Sequence, residues 1–363
     1  MIGAVRDWAN AVAADLGLPQ VTGGIVIGVD YSPAAKVTLL LLGVDGLPGL
    51  VAKLARRTET EPTLVAEQSA LLDIWSARPS SITAELPRPL ALERVAGRLV
   101  LLSTAVPGSP LTKRYYSPGH VRHPERVATD LAVAGSWLAL LQEETCSGTV
   151  VLGPDAFEEW IRPTFRRYQA EIGWGVWESD LLDHLADRCA RLGGTRVPVV
   201  AVHGDYAPGN ILLDRGRISG VVDWELGHGV GLPFSDAFKF AASYGSYLDR
   251  ASPPARGSLP GHPGWSQARD RWGGVPGWTN GTGILYAFFG SGWFPELVRS
   301  FLSAHLARLE VPPATAQLFL PVFLAEQALA LEQPAYRAGY RALLRLLWQE
   351  SSSGRLGVLE PVG

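Results

Sequence analysis

The chain has only two cysteines, Cys146 and Cys189, in 363 residues. They are far apart and fit no metal-ligand spacing, so a disulfide scaffold and a cysteine metal site are both excluded. They read as reduced residues of a cytosolic protein. An excess of one charge is also missing. The 32 Lys and Arg face 35 Asp and Glu, for a net charge of −3, with no basic block and no long acidic tail. Nucleic acid is therefore not the expected partner. The longest apolar stretch, Val37 to Leu54, is broken by Asp45, Pro48 and Lys53, so no membrane span is expected. Arg6, Asp7 and Asp15 interrupt the N-terminal region where a signal peptide would be apolar. The expected location is the cytoplasm. No P-loop sequence occurs, and Gly23-Gly24-Ile25-Val26-Ile27-Gly28 does not match the G-x-G-x-x-G fingerprint.

What remains is a globular composition, 47% hydrophobic and 18% charged, with ample length for a buried core. Residues 1–16 keep an amphipathic helical spacing. Strand-like runs follow at 23–29, 36–43 and 49–55, separated by turn residues. A helix is expected from about Pro62 to Ala77, and two further strands near 90–95 and 98–106. After Pro107-Gly108 the pattern becomes helical, at 124–144, 155–171, 178–192, 235–249, 294–310, 313–331 and 333–350. Residues 251–281, rich in Gly, Pro and Trp, read as a long irregular insert. The expected domains are 1–106, a sheet with one helix, and 107–363, mainly helical.

Residues 203–224 carry the chemistry. His203-Gly204-Asp205 follows an apolar run. Asn210 stands five positions after the aspartate, and Asp223-Trp224 closes a second pair of apolar strands. Phosphoryl transfer with magnesium needs these parts: a carboxylate to receive the proton of an attacking hydroxyl, and an amide and a carboxylate to hold Mg²⁺ on nucleotide phosphates. Oxygen donors suit that hard cation.

A small sheet lobe, a hinge and a helical lobe with HGD-x4-N-x12-DW resemble the aminoglycoside phosphotransferase and choline kinase family. The resemblance implies a two-lobed, protein-kinase-like α+β fold with the nucleotide, ATP or GTP, between the lobes. It also implies Asp205 as catalytic base and Asn210 and Asp223 as magnesium ligands, with His203 supporting the loop. Asp223-Trp224-Glu225 is not followed by Ala-Pro-Glu, and the segment that would be an activation loop is too short to be a phosphorylation switch. A small-molecule hydroxyl substrate is therefore favoured over a protein.

Lys53 interrupts the apolar third strand, where an edge lysine or a phosphate-binding one could stand; the kinase-like motif downstream favours the second. Glu67 falls on the apolar face of its helix, three residues after Leu64 and four before Leu71, and needs a cationic partner there. Lys53 is the natural candidate, and Glu59 and Glu61 are alternatives to Glu67. Ser32, in the turn between the first two strands, is expected near the phosphates by position. Ser103 to Gly108 resembles the family's hinge, where Thr104 and Val106 would pair adenine through backbone groups.

The acceptor is the least determined. The segment 251–281 offers Asp270 against Arg256, Arg269 and Arg271, together with Trp265, Trp272 and Trp278. Aromatic faces suit sugars, nucleobases and apolar scaffolds better than polycations. The expected acceptor is a neutral glycosylated or nucleoside natural product or antibiotic, although Glu171, Glu178 and Asp180 could form a cationic site instead. A housekeeping kinase of choline, a sugar or an amino alcohol, and a non-catalytic pseudokinase scaffold, stand as alternatives.

Overall fold

The computed structural model describes residues 1–27, 36–77, 81–251, 262–273, 281–331 and 333–352. The chain forms two compact units. The first comprises 1–111, 201–205 and 209–231; the second comprises 112–200, 206–208 and 232–363. The fold is α+β, with an antiparallel sheet in the first unit and most of the helices in the second.

The first unit opens with α1 (Ile2–Asp15), then β1 (Val21–Ile27), β2 (Lys36–Gly43) and β3 (Pro48–Ala55). Helix α2 (Glu61–Ala77) precedes β4 (Pro89–Val95) and β5 (Arg98–Thr104). The strands pair antiparallel in the order β1-β2-β3-β5-β4, so β1 and β4 are the outer strands. The turn from β2 to β3 is local chemistry. Asp45 Oδ1 accepts the Leu47 N–H at 3.0 Å, and Gly46 takes φ +75°.

Side chains alternate faces along a strand. Leu39 and Leu41 of β2, and Leu50, Ala52 and Leu54 of β3, pack with Val5, Ala9 and Ala13 of α1. These helix positions recur every four residues, which makes one face. Lys53 must then point to the other face. There, across β5, its partner Leu101 packs on Leu64 of α2. Thr38 lies opposite Lys53 and Lys36 opposite Ala55, so Lys36, Thr38 and Lys53 share the α2 face.

The chain then forms the short β6 (Ser109–Pro110) and enters the second unit. Its helices include Pro124–Glu144, Arg162–Glu171, Val176–Arg191, Ser235–Ala251, Trp293–Arg308, Ala314–Ala330 and Pro334–Ser352. These agree closely with the helical runs read from the sequence. Two features differ. The supposedly irregular 251–281 contains a helix, Trp265–Trp272, and an unexpected helix spans Gly281–Phe289. All nine residues of the latter are buried. A helix apolar all round has no amphipathic period to betray it.

Strand β7 (Gly148–Val151) pairs with the first half of β8 (Arg196–Val202). The chain then returns to the first unit with β9 (Ile211–Asp214), β10 (Arg217–Val221) and β11 (His228–Gly231). β9 is central in a small sheet with β10 and β6. β11 lies against α2, where a Cβ on Gly229 would stand 3.1 Å from Asp73 Cβ. No helix among the described residues is long and apolar enough to cross a membrane.

Candidate active site

The site is built on the stretch between β8 and β11. His203 is fully buried and holds two pieces of it together. Its Nδ1 accepts the Asp205 N–H at 3.2 Å, and its Nε2–H donates to the Val222 carbonyl at 3.0 Å. Gly204 permits this turn: it has φ +79°, and a Cβ there would lie 2.3 Å from the Leu226 carbonyl oxygen. Asn210 donates its amide to the Asp205 carbonyl at 2.9 Å and to Asp205 Oδ2 at 3.0 Å. Its own carbonyl accepts the Val222 N–H at 2.9 Å. Asp205, Asn210 and Val222-Asp223 are therefore one hydrogen-bonded assembly, as the spacing in the sequence predicts. Buried Trp224 anchors it from below, its Nε1–H on the Val221 carbonyl at 2.9 Å and its ring against His203.

Asp223 itself has φ +71°, a left-handed backbone that few non-glycine residues adopt. Aspartate is among the types that tolerate it. Its Oδ1 accepts the Lys53 ammonium at 2.9 Å. Lys53 also bonds Glu67, which is 3% exposed and faces inward from α2. The expected Lys53–Glu67 pair thus exists, and it reaches Asp223 as well. Burial would lower the Lys53 pKa, but the Glu67 and Asp223 carboxylates outweigh it and raise it above the ordinary lysine value. Burial alone would push the Asp223 carboxyl up; Lys53 and Lys36 reverse that and hold it well below the usual carboxylate range.

Lys36 is the residue the sequence reading missed. Its Nζ lies 3.4 Å from Asp223 Oδ1 and 3.9 Å from Glu67 Oε2, and it is bonded to Glu225. Its signal was a charge at the mouth of an apolar strand, which usually marks a solvated strand end. Only the register, two residues from the pair Thr38 and Lys53, puts it on the working face.

Both ammonium groups use Asp223 Oδ1, so Oδ2 is the oxygen that could serve a cation. Asn210 spends its amide hydrogens on Asp205, which leaves Oδ1 for the same purpose. Oxygen donors of this kind fit Mg²⁺. Among the described residues there is no cluster of three or more His, Cys, Asp or Glu placed to cage a metal. A cation that arrives on nucleotide phosphates needs only one or two protein ligands.

In the segment expected to be the hinge, the Thr104 N–H donates to the Arg88 carbonyl at 3.0 Å, and its hydroxyl accepts the Arg88 N–H at 2.9 Å. Val106 packs on Gly220, where a Cβ would stand 2.5 Å from Val106 Cγ2. Gly108, at φ +123°, lets Ser219 Oγ–H reach the Pro107 carbonyl at 2.6 Å. Residues 106–108 are thus fastened to β10. Ser32 lies outside the described residues, as does Trp278.

Trp265 and Trp272 are 1% and 4% exposed. Trp265 meets Tyr286 edge-on at 5.1 Å, and the Arg271 guanidinium sits 5.1 Å over Trp272. Two of the three acids that could have received a polycation, Glu171 and Glu178, have arginine partners. Glu178 is buried on Arg341 at 2.7 Å, and Glu171 faces Arg167 and Arg337 at 3.5 and 3.8 Å.

The profile of the APH phosphotransferase enzyme family matches residues 38–271, more than half of the chain. Among solved structures, a thermostable mutant of aminoglycoside phosphotransferase APH(4)-Ia, in ternary complex with ADP and hygromycin B, superposes with a TM-score of 0.54. The identity is 12%, over 96% of this chain and 99% of that one. The apo form gives 0.52 at 13% identity, over 94% and 99%. A glucosamine kinase gives 0.49 at 16% identity, over 97% and 87%. No curated protein matches the sequence.

Proposed function

Because the chain belongs to the APH phosphotransferase enzyme family, we propose that it transfers the γ-phosphoryl group of ATP or GTP to a hydroxyl of a small molecule. The observation that carries this reading is the single hydrogen-bonded assembly of Asp205, Asn210 and Asp223, joined by Lys53 to Glu67. Asp205 accepts the proton of the acceptor hydroxyl as the phosphoryl group moves. Asn210 fixes the rotation of that carboxylate, and His203 fixes its backbone. Lys53 contacts the nucleotide phosphates and is aimed by Glu67. Magnesium held by Asn210 and Asp223 would supply charge neutralisation on the phosphates. Most of the rate would come from positioning and preorganised charge. Thr104 and Val106 would present backbone groups to the base; with the Thr104 N–H already bonded, its carbonyl is the group on offer.

For the acceptor we favour a neutral or weakly charged hydroxylated molecule, such as a glycoside or nucleoside. What favours it is the pairing of Glu171 and Glu178 with arginines, which leaves those acids little attraction for ammonium groups. A screen for nucleotide-dependent phosphorylation over glycosides, nucleosides, sugars, choline and aminoglycosides tests both points. Turnover confined to polycationic aminoglycosides would reject the acceptor class. The activity itself is tested by Asp205→Asn, which should keep nucleotide binding and lose ~10²–10⁴ in rate. Unchanged turnover in the folded variant would remove Asp205 from the role of base.

A further inference from the structure

Lys53 has a dedicated partner. Glu67 is buried, comes from a packed helix and matches its charge. Lys36 has no such arrangement. Its ammonium is bonded to Asp223 Oδ1 at 3.4 Å, which Lys53 already serves, and to Glu225, whose side chain is 30% exposed, and it stands 3.9 Å from Glu67. Lys36 itself is only 13% exposed, so its ammonium is directed into the site and not to solvent. Anchoring Asp223 requires one lysine, and the cluster has two. It also has three carboxylates, Glu67, Asp223 and Glu225, so the set carries one net negative charge. That surplus opposes a polyanionic nucleotide unless one ammonium changes partner. Lys36 is the one able to do so, because its carboxylate, unlike Glu67, is partly exposed and can be resolvated at lower cost.

We infer that Lys36 is a second phosphate-binding residue of this site, held on Glu225 until the nucleotide arrives and then handed to its phosphates. Glu225 is a positioning residue that acts through Lys36. The inference rests on the phosphotransferase reading above. It assigns opposite effects to two residues in direct contact. Removing Lys36 deletes a phosphate partner. Removing the charge of Glu225 frees that partner in advance.

The test is equilibrium binding of ATP in EDTA, measured by calorimetry on the full chain, for wild type, Lys36→Met, Glu225→Gln and the double variant. Lys36→Met should weaken binding about tenfold, the scale of one charge-assisted hydrogen bond. Glu225→Gln should strengthen it several-fold, and that gain should vanish in the Lys36→Met background. A gain that persists without Lys36 would mean a general field effect and would overturn the inference. So would unchanged affinity in Lys36→Met, or weaker binding in Glu225→Gln. If Lys36→Met melts below the assay temperature, Lys36→Gln takes its place in the cycle. Wild-type protein that binds no nucleotide, with or without magnesium, would sink the phosphotransferase reading itself. Wild-type binding with an indifferent Lys36 sinks only this inference.

Discussion

At the scale of single residues, Asp223 combines the magnesium-binding role proposed for it with an unusual backbone. Two substitutions separate the parts. Asp223→Asn and Asp223→Ala should both lose magnesium-dependent nucleotide binding, since neither keeps the carboxylate. Asparagine tolerates φ +71° and alanine does not, so the alanine variant should be less stable by about 1 kcal/mol in urea denaturation. Equal stabilities would mean that the loop relaxes freely at this position. The carboxylates and amide of the site were legible in the sequence because their spacing is set by short strands and a tight loop. Glu67 was legible because a charge on the apolar face of a helix demands a partner. Lys36 was not, because its role depends on which residue of β3 it faces, and strand register is invisible in one chain read alone. The backbone of Asp223 left no mark either, since aspartate is common in any turn.

At the scale of elements, the five strands of the N-terminal sheet and most helices of the second unit agree with the sequence patterns to within a few residues, whereas the short β6 and β11 had no strand signal. The exceptions are instructive. Gly281–Phe289 is apolar on every side, and Trp265–Trp272 is a short helix flanked by glycine and proline. The first lacks a period and the second lacks length, the two signals on which helix recognition depends. The short helix also bears on the aromatic residues expected at the acceptor. Trp272 is 4% exposed, so Trp272→Ala should behave as a large-to-small core substitution. It should cost ~3–5 kcal/mol, read from urea denaturation. Stability near wild type with a raised acceptor KM would instead assign Trp272 to acceptor binding. Chain order also misleads about grouping. Residues 209–231 follow the helices of 112–200, yet their contacts join them to the N-terminal sheet. The link is β6, which pairs with β9, and the salt bridges of Lys36 and Lys53 with Asp223.

At the scale of the whole molecule, stability depends on pH through buried groups outside the site. Burial pushes the Glu326 carboxyl up to about 7, against hydrogen bonds from Ser235 and Thr164 and the charge of Arg167. A raised acid favours the folded state when protonated. Its contribution is complete below the unfolded value near 4.5 and is lost as pH rises toward 7. Burial pushes His305 and His262 down to about 4, so they act in the opposite sense, and their contributions fade as pH falls below the ordinary histidine range. The difference between Glu326→Gln and wild type isolates the first effect. The variant should gain roughly 1–3 kcal/mol relative to wild type between pH 5 and pH 7, by urea denaturation at each pH. A difference that does not change with pH would show that Glu326 stays ionised throughout.

The outer position of β1 has a further consequence, for the behaviour of many molecules together. Its sequence Val21 to Ile27 contains neither charge nor proline, and Ile25, Val26 and Ile27 are 51%, 42% and 40% exposed. Natural sheets usually guard such an edge with lysine, proline or a bulge away from neighbours. Here the irregularity in pairing lies at Val21 and Gly23, and among the described residues no strand pairs with the outer edge of the last, regular residues. With a net charge of only −3, mutual repulsion between molecules is weak. The colloidal limit of this protein is therefore written in one short strand: concentrated solutions should fail first by edge-to-edge β association there.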